Sequence, residues 1–178
     1  MTAGSVFGGI SGVKPKGDYN YIGAGDYIVY VNEFGVKKTR KGPMSIFFNL
    51  TILAVLDTSE CVKWNVSPHR VGEAATWMVT LDKDSALPQI KRALMNLTTV
   101  DENQVTEEFC ESLCAANQPL RGYIASYSGK NIKTKEKGIV ITDRKFVKPF
   151  TKSQCLANAE LMAGVKKLGL SIDNSHPE

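Results

Sequence analysis

Hydrophobic residues change their period three times along this chain, and that change limits the folds open to it. In "DYIVYVNEF" Tyr27, Val29 and Val31 alternate with Ile28 and Tyr30; in "MSIFFNLTILAVL" Ile46, Phe48, Leu50 and Ile52 form an apolar row opposite Phe47, Asn49 and Thr51. A repeat of two is the signature of strands, whose side chains point to opposite faces in turn. "CVKWNV" and "AATWMVTL" read as two more strands, with Trp77 and Val79 on a core-facing side. From Pro88 the spacing lengthens to three and four. Ile90, Leu94 and Leu97 mark one helix; Val105, Phe109 and Leu113 mark a second, acidic one, with Thr106 placed to cap it. Strand chemistry then returns in "LRGYIASYSG" and "KGIVITDRKFV" around a lysine-rich turn. "TKSQCLANAELMAGVKKLG" reads as a last helix, started by a Thr151/Gln154 capping box and ended at Gly169.

Four strands, two helices, two strands and one helix do not alternate as a parallel α/β sheet requires. They predict a mainly β, α+β chain: an OB-type Greek-key barrel with a helical insertion and a C-terminal helix. At 178 residues, 43% hydrophobic and 22% charged, the chain suits one domain with a real core. The predicted boundaries are a flexible, glycine-rich arm over 1–24, an OB-fold domain over 25–150 with its helical insertion at about 85–117, and a C-terminal helix and tail over 151–178. The arm holds a G-G-x-x-G stretch (Gly8 to Gly12), but no strand leads into it and no helix follows, so it does not qualify as a dinucleotide loop.

Catalytic chemistry finds little material. Cys61, Cys110, Cys114 and Cys155 form no CxxC pair, and His69 and His176 are the only histidines, so neither a metal nor a cofactor is expected. No nucleophile elbow or phosphate loop is present. His69 near Glu73 reads as a loop histidine making ordinary hydrogen bonds, and the chain is not expected to be an enzyme. No apolar run reaches the ~20 residues of a membrane span, and no basic-then-apolar leader opens the sequence, so a soluble cytoplasmic protein is expected.

Charge with aromatics is what remains. "KKTRK" puts Lys37, Lys38, Arg40 and Lys41 into one turn that joins a strand carrying Phe47. Like charges at this density do not help folding, so they invite a polyanion. The second basic turn supplies Lys130, Lys133, Lys135 and Lys137, with Arg121, Tyr123 and Tyr127 on the strand entering it and Arg144 and Lys145 on the strand leaving. Lys63 and Trp64 add a cation and a ring on the presumed third strand. Cations that track phosphates, with rings on which bases stack, are how single strands are held. In an OB barrel the loops after the first and fourth strands flank the binding face.

Taken together, "GDYIVYVNEFGVKKTRKGPMSIFFNLTILAVL" and "PLRGYIASYSGKNIKTKEKGIVITDRKFVKP" resemble the small OB-fold single-stranded DNA-binding proteins of bacteriophages over roughly residues 25–150. The resemblance lies in an opening strand, a basic glycine-containing turn, a long hydrophobic strand, and a final pair of strands ending in aromatic-x-x-Pro (Phe146 to Pro149). It implies binding of single-stranded DNA without sequence preference in phage replication or recombination, in the host cytoplasm. Self-association along the strand or contact with phage replication proteins would follow. One departure stands out: the segment "SIDNSHPE" carries only Asp173 and Glu178 as acidic groups, not a strongly acidic recruiting tail. RNA binding, and a structural or partner-binding phage protein that uses the barrel for protein contacts, are the alternative readings.

Overall fold

The computed structural model describes residues 20–133, 138 and 140–178. Two 14-residue strands, β1 (Gly25–Lys38) and β2 (Met44–Asp57), form its spine. They are joined by the basic turn, where Gly42 adopts φ +110°, a region open to glycine at little cost. A short helix, α1 (Ser59–Trp64), leads to β3 (Ala74–Thr80), then to α2 (Ala86–Thr98) and α3 (Glu107–Leu113). The hairpin of β4 (Ile124–Lys133) and β5 (Val140–Pro149) follows, and α4 (Lys152–Leu156) and α5 (Ala159–Leu168) close the order.

All five strands make one sheet in the order β3-β2-β1-β4-β5, each neighbour antiparallel to the next. Three strands run in sequence and the fourth returns, after the helices, to lie beside the first, which is Greek-key order. The fold is therefore α+β, as the changing period predicts, with a five-stranded antiparallel sheet in place of the six strands expected. No ladder joins β3 to β5 among the described residues. Side chains span that gap instead: the Trp77 indole donates to the Arg144 carbonyl at 3.3 Å, and the Arg144 guanidinium donates to the Met78 carbonyl at 3.2 Å.

A bulge in β1 sets which residues face inward. Val31 pairs with Leu50, but Glu33 pairs with Asn49, leaving Asn32 as the extra residue. The parity flips there, so Tyr27, Val29, Val31 and then Phe34 all enter the same core. That core is aromatic: Phe48 lies 4.6 Å from Phe34, 5.1 Å from Phe146 and 5.6 Å from Trp77, between ring centroids. Ile90, Leu94 and Leu97 of α2 seal it, on the spacing read from the sequence. The opposite face of the sheet has a second core, in which Leu161 and Val165 of α5 cover Ile28, Leu53 and Ile124. Gly164 lets that helix touch the sheet, since a Cβ there would fall 2.1 Å from the Leu53 carbonyl oxygen.

Three local readings change. "CVKWNV" lies in and just after a helix rather than on a strand: Glu60 reaches Trp64 at i,i+4 through a 2.9 Å hydrogen bond, and Asn65 in the left-handed region stops the helix at once. The C-terminal helix is two helices, broken so that the Asn158 carboxamide can accept from the Leu161 N–H at 3.0 Å. His176, read as part of a tail, bonds Thr99 Oγ1 at 3.0 Å and packs edge-on against Tyr123. The Thr106 cap, the Thr151/Gln154 capping box and the Gly169 helix end stand where the sequence puts them.

Residues 20–24 precede the sheet and are pinned to it, although the sequence reading placed them in the arm; residues 1–19, with the G-G-x-x-G stretch, lie outside the described residues. The Ile22 N–H donates to the Thr76 carbonyl at 2.9 Å, and the Thr76 N–H donates to the Asn20 carbonyl at 2.7 Å. The Tyr27 hydroxyl donates to the Ala24 carbonyl at 2.8 Å, and the Tyr127 hydroxyl to the Gly23 carbonyl at 3.0 Å. His69 stands beside Tyr27, taking the Gly23 N–H on Nε2 and facing Glu73 with Nδ1 at 3.3 Å. Both ring nitrogens are thus committed to structure.

Two outcomes follow from this clasp. Tyr127→Ala is expected to cost about 3–5 kcal/mol in urea unfolding, the range for an emptied aromatic site, and Tyr127→Phe only about 1 kcal/mol for its lost hydrogen bond. Burial pushes the Glu73 carboxyl up, but the Arg70 N–H, the Asn20 amide and His69 together hold it below its ordinary 4.5. A depressed carboxyl stabilises the fold at neutral pH, and that share is lost as pH falls from 4.5 through its lower folded value. Glu73→Gln should therefore lower the urea midpoint at pH 7 and lose less of it between pH 7 and acid than the parent does.

Candidate nucleic-acid interface

The turn between β1 and β2 presents its cations openly. Lys38, Arg40 and Lys41 are exposed, and none has a carboxylate within ion-pair distance among the described residues. Lys37 is half-buried, with its ammonium 4.8 Å from the centre of the Phe47 ring. Phe47 does sit on the outer face, opposite Phe48, as the alternation predicts. It is nevertheless only 8% exposed, lying against Gly35, where a Cβ would come within 3.0 Å of the ring. A base reaching Phe47 would have to displace Lys37, so the ring is not the open platform expected from sequence.

The second turn begins at the far end of the sheet. Gly25 pairs with Gly129 and Tyr30 with Ile124, so the β1–β2 and β4–β5 turns leave opposite ends of the β1–β4 ladder. No single phosphate can meet both. Lys130 and Lys133 are exposed at this end; Lys135 and Lys137 lie outside the described residues.

Tyr127 must be corrected. It is 1% exposed, with its ring 6.2 Å from both Tyr27 and Phe146, and burial raises its phenol far above the ordinary range. The burial has a physical source. Ile124, on the face of β4 opposite Tyr127, is covered by the C-terminal helices while Tyr127 enters the main core, so both faces of this strand are covered. Tyr123 precedes β4, is half-buried against His176, and has its phenol raised by burial. Arg121 is exposed, but its Nε donates to the Asn32 carbonyl at 3.1 Å, fixing the bulge of β1. Lys63 and Trp64 stand on α1, where Lys63 is 5.5 Å from the Trp64 ring centre and the indole is tied to Glu60.

Arg144 and Lys145 lead to a feature the sequence reading missed. Between α2 and β5, continuing along β3, run three adjoining concavities of about 450, 580 and 510 Å³. They share Arg92, Asn96 and Lys145 at one junction and Ser85, Gln89 and Arg144 at the other, and so make one trough. Trp77 and Phe146 underlie it. Its walls carry Lys83, Lys91, Arg92, Arg144 and Lys145 against the carboxylates Asp143 and Glu102, and Glu102 is already 3.4 Å from Lys91. Tyr21, 47% exposed, lines the end beside Lys83. The signal for the helical wall was present: Ser85, Gln89, Arg92 and Asn96 recur at four, three and four, a polar stripe along the side of α2 that does not face the core.

The two predicted cations in the trough are not equivalent. Arg144 bridges the sheet edges through the Met78 carbonyl, whereas Lys145 is exposed with no ion-pair partner among the described residues. No family model matches this chain, and no curated protein matches it. No helix among the described residues is long and apolar enough to cross a membrane.

Arg144→Ala is expected to destabilise the fold by about 1–3 kcal/mol, by removing a charged donor and leaving the Met78 carbonyl without it. Lys145→Ser should stay within about 0.5 kcal/mol of the parent, as surface changes do. Chemical denaturation of the two variants side by side checks the distinction.

Proposed function

We propose that this protein binds single-stranded DNA without sequence preference, holding or organising it during replication or recombination as the resemblance to phage proteins implies. The carrying observation is the set of exposed cations Lys38, Arg40 and Lys41, projecting from the β1–β2 hairpin end of a Greek-key sheet without carboxylate partners among the described residues. A fold gains nothing from crowding like charges into one turn, and a phosphate chain neutralises them. Strand order, with β4 returned beside β1 and the β3 and β5 edges bridged by side chains, supports a partly open OB-type barrel as the scaffold.

Because Tyr127 is buried and Phe47 is capped, fewer rings are open for stacking than the sequence suggests. Phosphate contacts then supply most of the affinity, and the salt dependence should be steep. Fluorescence anisotropy with labelled oligonucleotides tests this. Binding should weaken with salt on a log–log slope of about −0.7 per phosphate neutralised, and single strands should be preferred to duplex at matched salt. Replacing Lys38, Arg40 and Lys41 by Ser should leave the melting temperature level or slightly higher and flatten the slope by up to about 2. Tight, salt-insensitive binding, or duplex preferred over single strand, would overturn the reading.

A further inference from the structure

We infer that the single strand lies in the trough between α2 and β5, with its phosphates between Arg92 and Lys145, rather than across the outer face that carries Phe47. This path rests on the binding reading above and gives it a location. Arg92 comes from a helix and Lys145 from an edge strand, so the two cations line the trough from different walls. Both are exposed, and neither has a carboxylate partner among the described residues. A phosphodiester chain running between them would touch both, and a trough walled on each side offers room along its length for one chain. Elsewhere the sheet is less open: the C-terminal helices cover Ile28, Leu53 and Ile124, and Lys37 caps Phe47.

The surroundings of the trough suit the same ligand. The Asn96 amide donates to the Phe146 carbonyl, which ties α2 to β5 and fixes the distance between the walls. Ile132 and Thr142 of the hairpin line the trough as well, and Lys133, next to Ile132 in the chain, is exposed. Of the two acidic groups present, Glu102 is neutralised by Lys91 and Asp143 stands opposite Lys130 in the β4–β5 register. The trough as a whole therefore favours a polyanion.

The test uses the full chain, a fluorescein-labelled oligothymidylate of about 16 nucleotides, the upper site size of one such domain, and a salt series. The double variant Arg92→Ser/Lys145→Ser should raise Kd and make the log–log salt slope shallower by about 1.4, two phosphates at about 0.7 each. Lys166→Ser/Lys167→Ser, on α5, removes the same charge away from the trough and should leave the slope unchanged. Melting curves of both variants should match the parent. If the parent binds and Arg92→Ser/Lys145→Ser keeps its affinity and slope while the turn variant loses them, the path is wrong and the binding reading stands. If the parent binds no oligonucleotide at low salt, both fall. If polyglutamate of equal charge competes as strongly as oligothymidylate, and the trough variant loses both ligands alike, the trough is a site for acidic protein and the inference is overturned.

Discussion

The two edges of the sheet meet at Trp77. Its ring packs on Phe48 and Phe146 in the main core, and its indole N–H reaches across to the Arg144 carbonyl. An edge strand offers unpaired backbone groups that must be paired or covered. Here three side chains do that work: Trp77, Asn96 and Arg144 each donate to a carbonyl of the neighbouring element. Side chains are longer than a ladder hydrogen bond, so they hold the edges together while leaving them apart. The trough is the space that results. A backbone ladder between β3 and β5 would have closed the sheet and removed much of that concavity.

The residues before β1 bridge β3 and β4 as well. Ile22 bonds to β3, and Gly23 passes so near β4 that a Cβ on Gly129 would fall 1.9 Å from its carbonyl oxygen. The two tyrosines that anchor this segment, Tyr27 and Tyr127, lie side by side in the core and direct their hydroxyls to consecutive carbonyls, those of Ala24 and Gly23. A buried phenol needs a partner for its hydroxyl, and a segment entering a sheet edge needs donors for its carbonyls. One arrangement satisfies both. It also explains why a tyrosine beside a basic turn, which in sequence resembles a stacking platform, is a core residue here.

Where a single physical rule governed a segment, the sequence was readable. Alternation on β1, β2 and β3, the inward face of α2, and three capping signals are local consequences of period and hydrogen bonding, and they hold. Misreadings arose where a distant element decided. Ile124 points to a second core that exists only because α5 folds back over the sheet. The Asn32 bulge changes parity inside one strand, and Arg121, 89 residues away, is what bonds to it. The segment holding Cys61 is a helix docked on a distant segment: the Cys61 thiol donates to the Ala24 carbonyl at 3.1 Å, 37 residues away. The trough needed Arg92 and Lys145 brought together from two elements, and each alone reads as an ordinary surface cation.

Burying the aromatic rings has a functional cost and a functional direction. Tyr127, Phe48, Trp77 and Phe146 stabilise the scaffold and cannot also offer open faces to bases. In the proposed role, a ligand would then be recognised chiefly by its charge and by the shape of the trough it follows. Charge alone would favour duplex, whose phosphates are denser; a trough with walls on both sides, formed by α2 and β5, favours a single flexible chain. In that role, indifference to sequence would follow from the same division of labour. Cations on the walls would meet the backbone common to all sequences, while Trp77 and Phe146, whose rings could have distinguished bases, are committed to the core beneath the trough.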